Sequence, residues 1–303
     1  MVSECRLSDF FKELTGELIR VSEATIEKFN KEASLKVNID AIKQELLNGN
    51  VMHVDETLLR SVQLLEYDSD VPRTSKGCSF DATVRVHSNA TTTLYTVNPH
   101  KDDNGVERDG IIPLFCGILS HDHDKKYYKY GNFHATCGVH LCRELKGLYE
   151  LYGIEWAYNF RKFYVGMNDY KNRMLICEAG KLLEFEVEYD KLVCDGYIVL
   201  NGLKKDSYVY KQLIPILNCL KRYKDLYMLF IRNYCVPSNN CAERDLRPCK
   251  MKREVSGCFR SWAGVVCYAI IRSFLSTAHK RKENLFSAVK QLFLPPSVCP
   301  AEQ

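Results

Sequence analysis

Three segments between residues 51 and 97 have the patterns of β-strands: the first is a short apolar-rich run, and the other two alternate apolar and polar side chains and favour β-branched residues. Their sequences are VMHVDET (51–57), FDATVRVH (80–87) and TTTLYTV (91–97). Successive side chains of a strand point to opposite faces of a sheet, and the turn-forming string SNA separates the last two segments. The pattern predicts a three-stranded meander, so the chain must adopt a fold that contains antiparallel strands.

Two more strands and several helices complete the predicted order of elements. GILSHDH (117–123) and FHATC (133–137) have strand patterns, and a helical pattern follows from Val139. The first fifty residues read as helices, with Ser22 as the N-cap of the longer one. Strands interspersed with helices predict a mixed α/β fold.

The region from about 150 to 235 is predicted to be mostly helical. Its apolar residues recur at alternating steps of four and three, a spacing typical of a helix face that packs in a core. Within it, FEVEYDKLVCDGYIVL (185–200) fits either a hairpin or a helix. Further helices are predicted from Cys241 and from Ser261 to His279.

Composition excludes membrane and secreted classes of protein. Of the 303 residues, 46% are hydrophobic, which is enough for a sizeable core. Charges interrupt every apolar run before the about 18 residues that a membrane helix needs, and the first thirty residues lack the apolar block of a signal peptide. Fourteen cysteines at irregular spacing are expected to be reduced thiols. We therefore expect a cytoplasmic protein that has no membrane partner.

Three acidic residues stand where predicted elements begin or end. Asp55 lies at the end of the first strand, Asp122 at the end of the fourth, and Glu243 near the start of the helix from Cys241. Carboxylates that arrive from separate segments are typical ligands of Mg²⁺ or Mn²⁺. Taken singly, each acid also fits a turn, a solvated strand end or a favourable position at a helix N-terminus.

A cluster of cations follows the third acid. It comprises Arg244, Arg247, Lys250, Lys252, Arg253 and Arg260. Such a cluster is typical of phosphate contacts, although a solvated helix face has the same composition. Glu243, Arg247 and Lys250 fall at i, i+4 and i+7 of the helix predicted from Cys241 and so share a face, which suits either a metal–phosphate site or an ordinary surface ion pair.

Three longer strings resemble one family of transposases. They are HVDET (53–57), HDHDKKYYKYGNFHATCGVHLCREL (121–145) and NNCAERDLRPCKMKREVSGCFRS (239–261). In this order they resemble the blocks that carry the acids of the insertion sequence 66 family, whose members move bacterial mobile elements. Intervening strings such as LTGELIRVSEATI (14–26) also resemble this family, so the likeness covers nearly the full chain.

The resemblance implies a fold and a reaction. The fold is an RNase H-like mixed sheet flanked by helices, with a mostly helical insertion between the second and third catalytic acids. The reaction is metal-dependent cleavage of double-stranded DNA followed by strand transfer, with Asp55, Asp122 and Glu243 as the triad that holds two Mg²⁺ or Mn²⁺ ions. The DNA-binding candidates are the cations Arg244, Arg247, Lys250, Lys252 and Arg260.

The same resemblance draws attention to residues after the second acid. Cys137 and His140 match a C-x-x-H string found at this place in many such enzymes, and Arg143 continues it. The pair could orient a metal ligand or pack its helix, whereas a structural zinc site requires four ligands. We expect these residues to support the structure or the active site.

Family members usually carry a further N-terminal region that recognises the ends of the element. By this resemblance the chain is expected to start after that region, which leaves open whether it transposes autonomously. An inactive, DNA-binding remnant of a transposase is therefore the alternative function. The resemblance also implies a homo-oligomer in the active complex, accessory proteins of the same element as partners, and association with the nucleoid. The expected domains are an N-terminal helical segment (1–50), the first part of the catalytic core (51–149), the helical insertion (150–235), the C-terminal core helices (236–294) and a tail (295–303).

Overall fold

A computed structural model describes residues 4–63, 80–238 and 241–294. These residues form two compact units, which we describe separately. The first unit falls within Met1–Phe115 and Cys241–Gln303, and the second within Cys116–Asn240. The predicted tail at 295–303 lies outside the described residues.

The helices confirm most of the predicted boundaries. In chain order they are α1 (Glu4–Leu14), α2 (Glu23–Lys36), α3 (Ile39–Leu47), α4 (Asp103–Asp109), α5 (Gly138–Tyr152), α6 (Glu155–Arg173), α7 (Ala179–Asn201), α8 (Tyr208–Arg222), α9 (Lys224–Arg232), α10 (Cys241–Asp245), α11 (Arg247–Ser256), α12 (Trp262–Lys280) and α13 (Leu285–Phe293). Ser22 is the N-cap of α2 as predicted, because its side chain accepts a hydrogen bond from the backbone N–H of Thr25. Ser261 caps α12 in the same way, through the N–H of Gly264.

The strands of the first unit form the predicted meander. β1 (Val51–Ser61) pairs antiparallel with β2 (Phe80–Ser88), and β2 pairs antiparallel with β3 (Thr93–Asn98). Helices α10, α11 and α12 pack against this meander. Their contact is apolar, and its buried members include Leu59, Val86, Tyr95, Leu246 and Trp262.

The described residues of the second unit, 116–238, form two short strands and five α-helices. β4 (Ile118–His121) and β5 (Phe133–Thr136) pair in parallel, and α5 to α9 follow them along the chain. The helices enclose a core in which Phe160, Met167 and Leu213 are fully buried. The described chain between Asp122 and Glu243 is therefore mostly helical, as predicted. Together the two units give a mixed α/β fold with strands of both relative directions.

The segment at 185–200, which fitted two structures, is part of helix α7. Gly196 lies inside this helix rather than in a hairpin turn. A Cβ at this position would lie 2.4 Å from a side-chain carbon of Leu217 and 2.7 Å from the ring of Trp156. Glycine is thus required here because α7 packs closely against its neighbours, and close packing can offset the low helix propensity of glycine.

Candidate active site

Asp55 lies on the face of the first unit's meander that α10, α11 and α12 cover. It is opposite Val86 in the register of β1 and β2, and Val86 is opposite Tyr95 on β3. Directly opposed residues of a sheet project from the same face, and Val86 and Tyr95 belong to the core beneath these helices. The Asp55 side chain is half-buried, and its Oδ1 accepts a 2.8 Å hydrogen bond from the backbone N–H of Glu56.

Glu243 lies on α10, which packs against β1 and β2. Ala242 and Leu246, on either side of Glu243 in the sequence, are fully buried in the core beneath α10. The first unit therefore brings Asp55 and Glu243, two of the three predicted acids, to one face of one sheet.

Asp245 fixes α10 through a buried ion pair that the sequence did not reveal. One carboxylate oxygen, Oδ2, accepts from Ser88 Oγ at 2.6 Å, from Thr93 Oγ1 at 3.1 Å and from Lys280 Nζ at 2.7 Å. The two charged side chains are only 7% (Lys280) and 10% (Asp245) exposed. Because these partners come from β2, β3 and α12, the contacts hold α10 in place two residues after Glu243.

His53 is a buried neighbour of this ion pair. It lies two residues before Asp55 on β1, on the same face, and is paired with Ser88. Burial, and secondarily the charge of Lys280, lower the pKa of His53 to about 4. The imidazole is therefore neutral at neutral pH.

Glu56, the acid next to Asp55, belongs to a different network. Its Oε2 accepts from Nε and Nη2 of Arg85 at 3.1 and 2.9 Å, and the same guanidinium is paired with Asp109. The Arg85 side chain is fully buried. Burial raises the pKa of Asp109 to about 6, even though Arg85 acts in the opposite direction. Glu56 therefore has a structural role in the buried network. Of the two neighbouring acids, Asp55 is thus the candidate metal ligand.

Asp122 lies in the second unit, directly after β4, and its side chain is exposed. The nearby Asp124 has a structural role, because it caps the 3-10 turn Lys125–Lys129 and forms a 2.7 Å ion pair with Lys126. Of these two acids, Asp122 is thus the better candidate to bind a metal ion.

Cys137 and His140 line one cavity of the second unit together with Asp122. The cavity has a volume of about 420 Å³ and is bordered by residues of α5 and α8. Cys137 precedes the first residue of α5 and is buried, and His140 lies within the first turn of that helix. Arg143 is exposed and is not among the residues that line the cavity. The C-x-x-H pair thus shares a surface with Asp122, whereas Arg143 does not.

The histidines around Asp122 form a neutral hydrogen-bonded network. A solvated strand end, one of the alternatives for Asp122, fits the exposure of that residue, but the preceding His121 is fully buried. Its Nε2 lies 3.3 Å from Nδ1 of His134, and burial lowers the pKa of His121 to about 3. Nδ1 of His123 lies 2.6 Å from the hydroxyl of Tyr128. No periodic pattern in the sequence predicts this network.

The cationic cluster lies on two helices and on the loop that follows them, rather than on one helix. Arg244 is in α10, and α11 begins at Arg247 with Pro248 in its first turn. The prediction of one uninterrupted helix from Cys241 is therefore wrong. Proline has no N–H to donate and its ring clashes with the carbonyl four residues earlier, so the helix is interrupted at Leu246.

Exposure differs among the members of the cluster. Arg244, Arg247, Arg253 and Arg260 are exposed, whereas Lys250 and Lys252 are half-buried. The ammonium of Lys252 lies 5.1 Å from the ring centroid of Phe259, a cation–π contact that holds it against the protein. The exposed arginines are therefore the cations best placed to meet phosphates.

Comparison with known proteins gives the family. A family model described as "Transposase IS66 family" matches residues 5–266. No curated protein matches the chain. None of the helices in the described part of the chain has both the length and the apolar character needed to cross a membrane. The match confirms the family predicted from the three strings, and the mixed α/β fold described above is that of an RNase H-like transposase catalytic domain. This chain belongs to the IS66 family of transposases.

Proposed function

We propose that this chain is the catalytic region of a DDE transposase, in which Asp55, Asp122 and Glu243 hold two Mg²⁺ or Mn²⁺ ions. The family supports a DNA-cleaving and DNA-joining enzyme. The observation that carries the finer assignment is the placement of Asp55 and Glu243 on one face of the first unit's meander, with α10 fixed by the buried Asp245–Lys280 pair.

The donor set fits the proposed ions. Carboxylate oxygens are the hard ligands that Mg²⁺ and Mn²⁺ prefer, and few protein ligands leave positions for phosphate oxygens. When bound, the ions neutralise charge at the scissile phosphate and favour ionisation of an attacking water. The neutral His53 beside Asp55 adds no positive charge that would compete for the carboxylates at neutral pH.

The protein's own contribution is to hold DNA and position the acids. Under this proposal Arg244, Arg247 and Arg260 bind backbone phosphates, Lys250 and Lys252 add positive charge behind them, and the freed 3′-hydroxyl serves as nucleophile for strand transfer. Such phosphate contacts position a duplex without reading its sequence.

Three substitutions test the triad. Asp55→Asn, Asp122→Asn and Glu243→Gln should each lower Mg²⁺-dependent nicking of a plasmid that carries the ends of the host element by more than about a hundredfold. Loss of a partner outside the first coordination sphere already costs about 10–100-fold, and loss of a ligand should cost more. Melting temperatures should not fall, because each change removes a charge from a cluster of like charges.

Asp124→Asn is the matched control for Asp122→Asn. It lies two residues away, and an asparagine keeps the oxygen that caps the 3-10 turn. Nicking by this control should equal that of the wild type. Nicking at wild-type rates by all three triad variants would refute the assignment.

The cationic cluster is tested by the salt dependence of DNA binding. Replacing Arg244, Arg247 and Arg260 by alanine should weaken binding to any duplex, and each lost phosphate contact should reduce the slope of log affinity against log salt by about 0.9. Lys146→Ala on α5, which removes an exposed cation, is the control and should leave the slope unchanged. An unchanged slope in the triple variant would identify the cluster as a solvated surface.

A further inference from the structure

The cavity beside Asp122 has the lining of a ligand pocket. Apolar side chains of α5 and α8 form its walls, among them Leu148, Leu151 and Ile216. Tyr152 and Tyr208, both exposed, also line it, and their ring centroids are 5.9 Å apart. Its volume of about 420 Å³ falls within the range of about 300–1,000 Å³ that is usual for small-molecule sites.

The charges of the cavity select against a phosphate. Two carboxylates, those of Asp122 and Glu144, line it, and no lysine or arginine is among the described residues that do so. Burial raises the pKa of Glu144, so this carboxyl can more easily hold a proton and donate a hydrogen bond. An uncharged ligand with hydrogen-bonding groups on one edge fits such a lining better than an anion does.

His123 lines this cavity and carries a buried nitrogen without a hydrogen-bond partner in the described part of the chain. Its Nδ1 is engaged by the hydroxyl of Tyr128, whereas its Nε2 is buried without a hydrogen-bond partner among the described residues. Buried polar atoms normally find a partner, so an orphan nitrogen on a residue that lines a cavity points to a ligand or water close by. The backbone of His123 is in the left-handed region, at a φ of 70°, an uncommon conformation for a residue other than glycine. This conformation is one that proteins retain mainly at functional positions.

We propose that this cavity receives a nucleobase that has been unstacked from DNA next to Asp122. The inference rests on the proposed function, because that function brings DNA to the carboxylate that lines the cavity. A base has apolar faces for the tyrosine and leucine side chains and a polar edge for Glu144, His123 and Gln212. Enzymes that extrude a base hold it by this combination of aromatic or apolar packing and hydrogen bonds.

Gly147 provides a way to fill the cavity without disturbing the core. It lies within α5 and lines the cavity, and a Cβ built on it meets no atom within 4 Å. Leucine at this position extends into the cavity, and it also raises the helix propensity of α5. Gly166 within α6 is a matched control, because its Cβ also meets no atom within 4 Å and it does not line the cavity.

The test compares two duplexes of one sequence in competition binding without divalent metal. One carries a 2-aminopurine opposite an abasic site, and the other carries the same base fully paired with thymine. The unpaired base has already lost the pairing that extrusion must break, so the wild-type protein should bind the first duplex at least tenfold more tightly. Gly147→Leu should reduce this ratio to below twofold, Gly147→Ala should give an intermediate ratio, and Gly166→Leu should keep the wild-type ratio.

The outcomes separate this inference from the proposed function. A wild-type ratio near one, a full ratio in Gly147→Leu, or an equal loss in Gly166→Leu would overturn the base pocket. Failure of the proposed function would appear elsewhere, as plasmid that stays uncut in Mg²⁺ while the binding ratios follow the expected order.

Discussion

The two units differ in whether the polar groups that they bury next to the candidate acids are charged. The first unit buries charges that are paired, namely Arg85 with Glu56 and Asp109, and Lys280 with Asp245. The second unit instead clusters neutral rings around Asp122, in which histidines with lowered pKa values contact tyrosines and one another.

This difference suits the different tasks that we propose for the units. A buried ion pair adds little net stability compared with apolar residues, but a missing partner is costly, so such pairs enforce one arrangement of the elements that they join. In the first unit those elements are β1 and α10, which carry Asp55 and Glu243. Neutral rings cost less to leave partly unsatisfied, and buried histidine nitrogens without a partner among the described residues occur in both units, on His53 and His87 in the first and on His123 in the second.

The two tryptophans allow the units to be followed separately. Trp262 is buried in the first unit and Trp156 in the second, and the chain contains no other tryptophan. A Trp156→Phe background therefore reports unfolding of the first unit, and a Trp262→Phe background reports that of the second. Separate reporters matter because a chain with two units need not unfold in one step.

The largest effect is expected when the charged network of the first unit is broken. Arg85→Met should lower its free energy of unfolding by about 3–5 kcal/mol, because Glu56 and Asp109 would lose the cation between them. Urea unfolding followed by Trp262 fluorescence measures the change. Arg20→Met is the control, since it makes the same substitution in an exposed ion pair with Glu17 and should leave the unfolding curve unchanged. If the two variants behaved alike, the buried charges of the first unit would contribute no more to its stability than an exposed ion pair does. The contrast between a charged and a neutral interior would then fail.

The local parts of this architecture could be predicted from the sequence. Strand alternation predicted the meander, and a serine before each apolar run predicted the start of α2 and α12. These features depend on neighbours a few residues apart, so one chain segment contains all the information. Pro248 is also a local signal, because a proline by itself is enough to interrupt the helix predicted from Cys241.

The rest depends on contacts between distant segments. Nothing near Arg85 in the sequence indicates that Asp109 is its partner, and nothing near Asp245 indicates Lys280. Gly196 suggested a turn because its true role, close packing against Trp156, exists only in the folded helix bundle. The acids of the candidate site came from resemblance to a family, whereas the cavity beside Asp122 required the packing of α5 and α8.

A smaller effect is expected from the neutral histidine of the first unit. The pKa of His53 is about 4 in the folded protein and 6.5 in an ordinary histidine, so between these pH values the unfolded state binds a proton that the folded state does not. Stability is therefore lost as the pH falls from 6.5 to 4, by about 3 kcal/mol at most. His53→Gln should remove this part of the decline, measured by urea unfolding at each pH. The raised pKa of Asp109 acts in the opposite direction and is common to both proteins, so the difference between them isolates His53.

His279→Gln is the control for that experiment, because it removes an exposed histidine of the same unit. Its pH profile should match that of the wild type. A His53→Gln profile that also matched the wild type would mean that His53 is not held neutral in the folded protein.

The smallest effect is expected from the neutral network of the second unit. Tyr128→Phe removes the hydroxyl that lies 2.6 Å from Nδ1 of His123 but keeps the ring that stacks on Tyr223. A hydrogen bond between neutral groups contributes about 0.5–1.5 kcal/mol, so the free energy of unfolding of the second unit, followed by Trp156 fluorescence, should fall by about 1 kcal/mol.

Tyr95→Phe is the counterpart in the first unit, where the hydroxyl donates to the backbone carbonyl of Asp245. It should lower the free energy of unfolding of that unit by a similar amount. Because no charge takes part in either contact, both losses should be the same at pH 7 and pH 9. A loss of more than about 3 kcal/mol for Tyr128→Phe would show that His123 is charged, since only hydrogen bonds to charged groups reach that size, and the contrast between a charged and a neutral interior would then no longer hold.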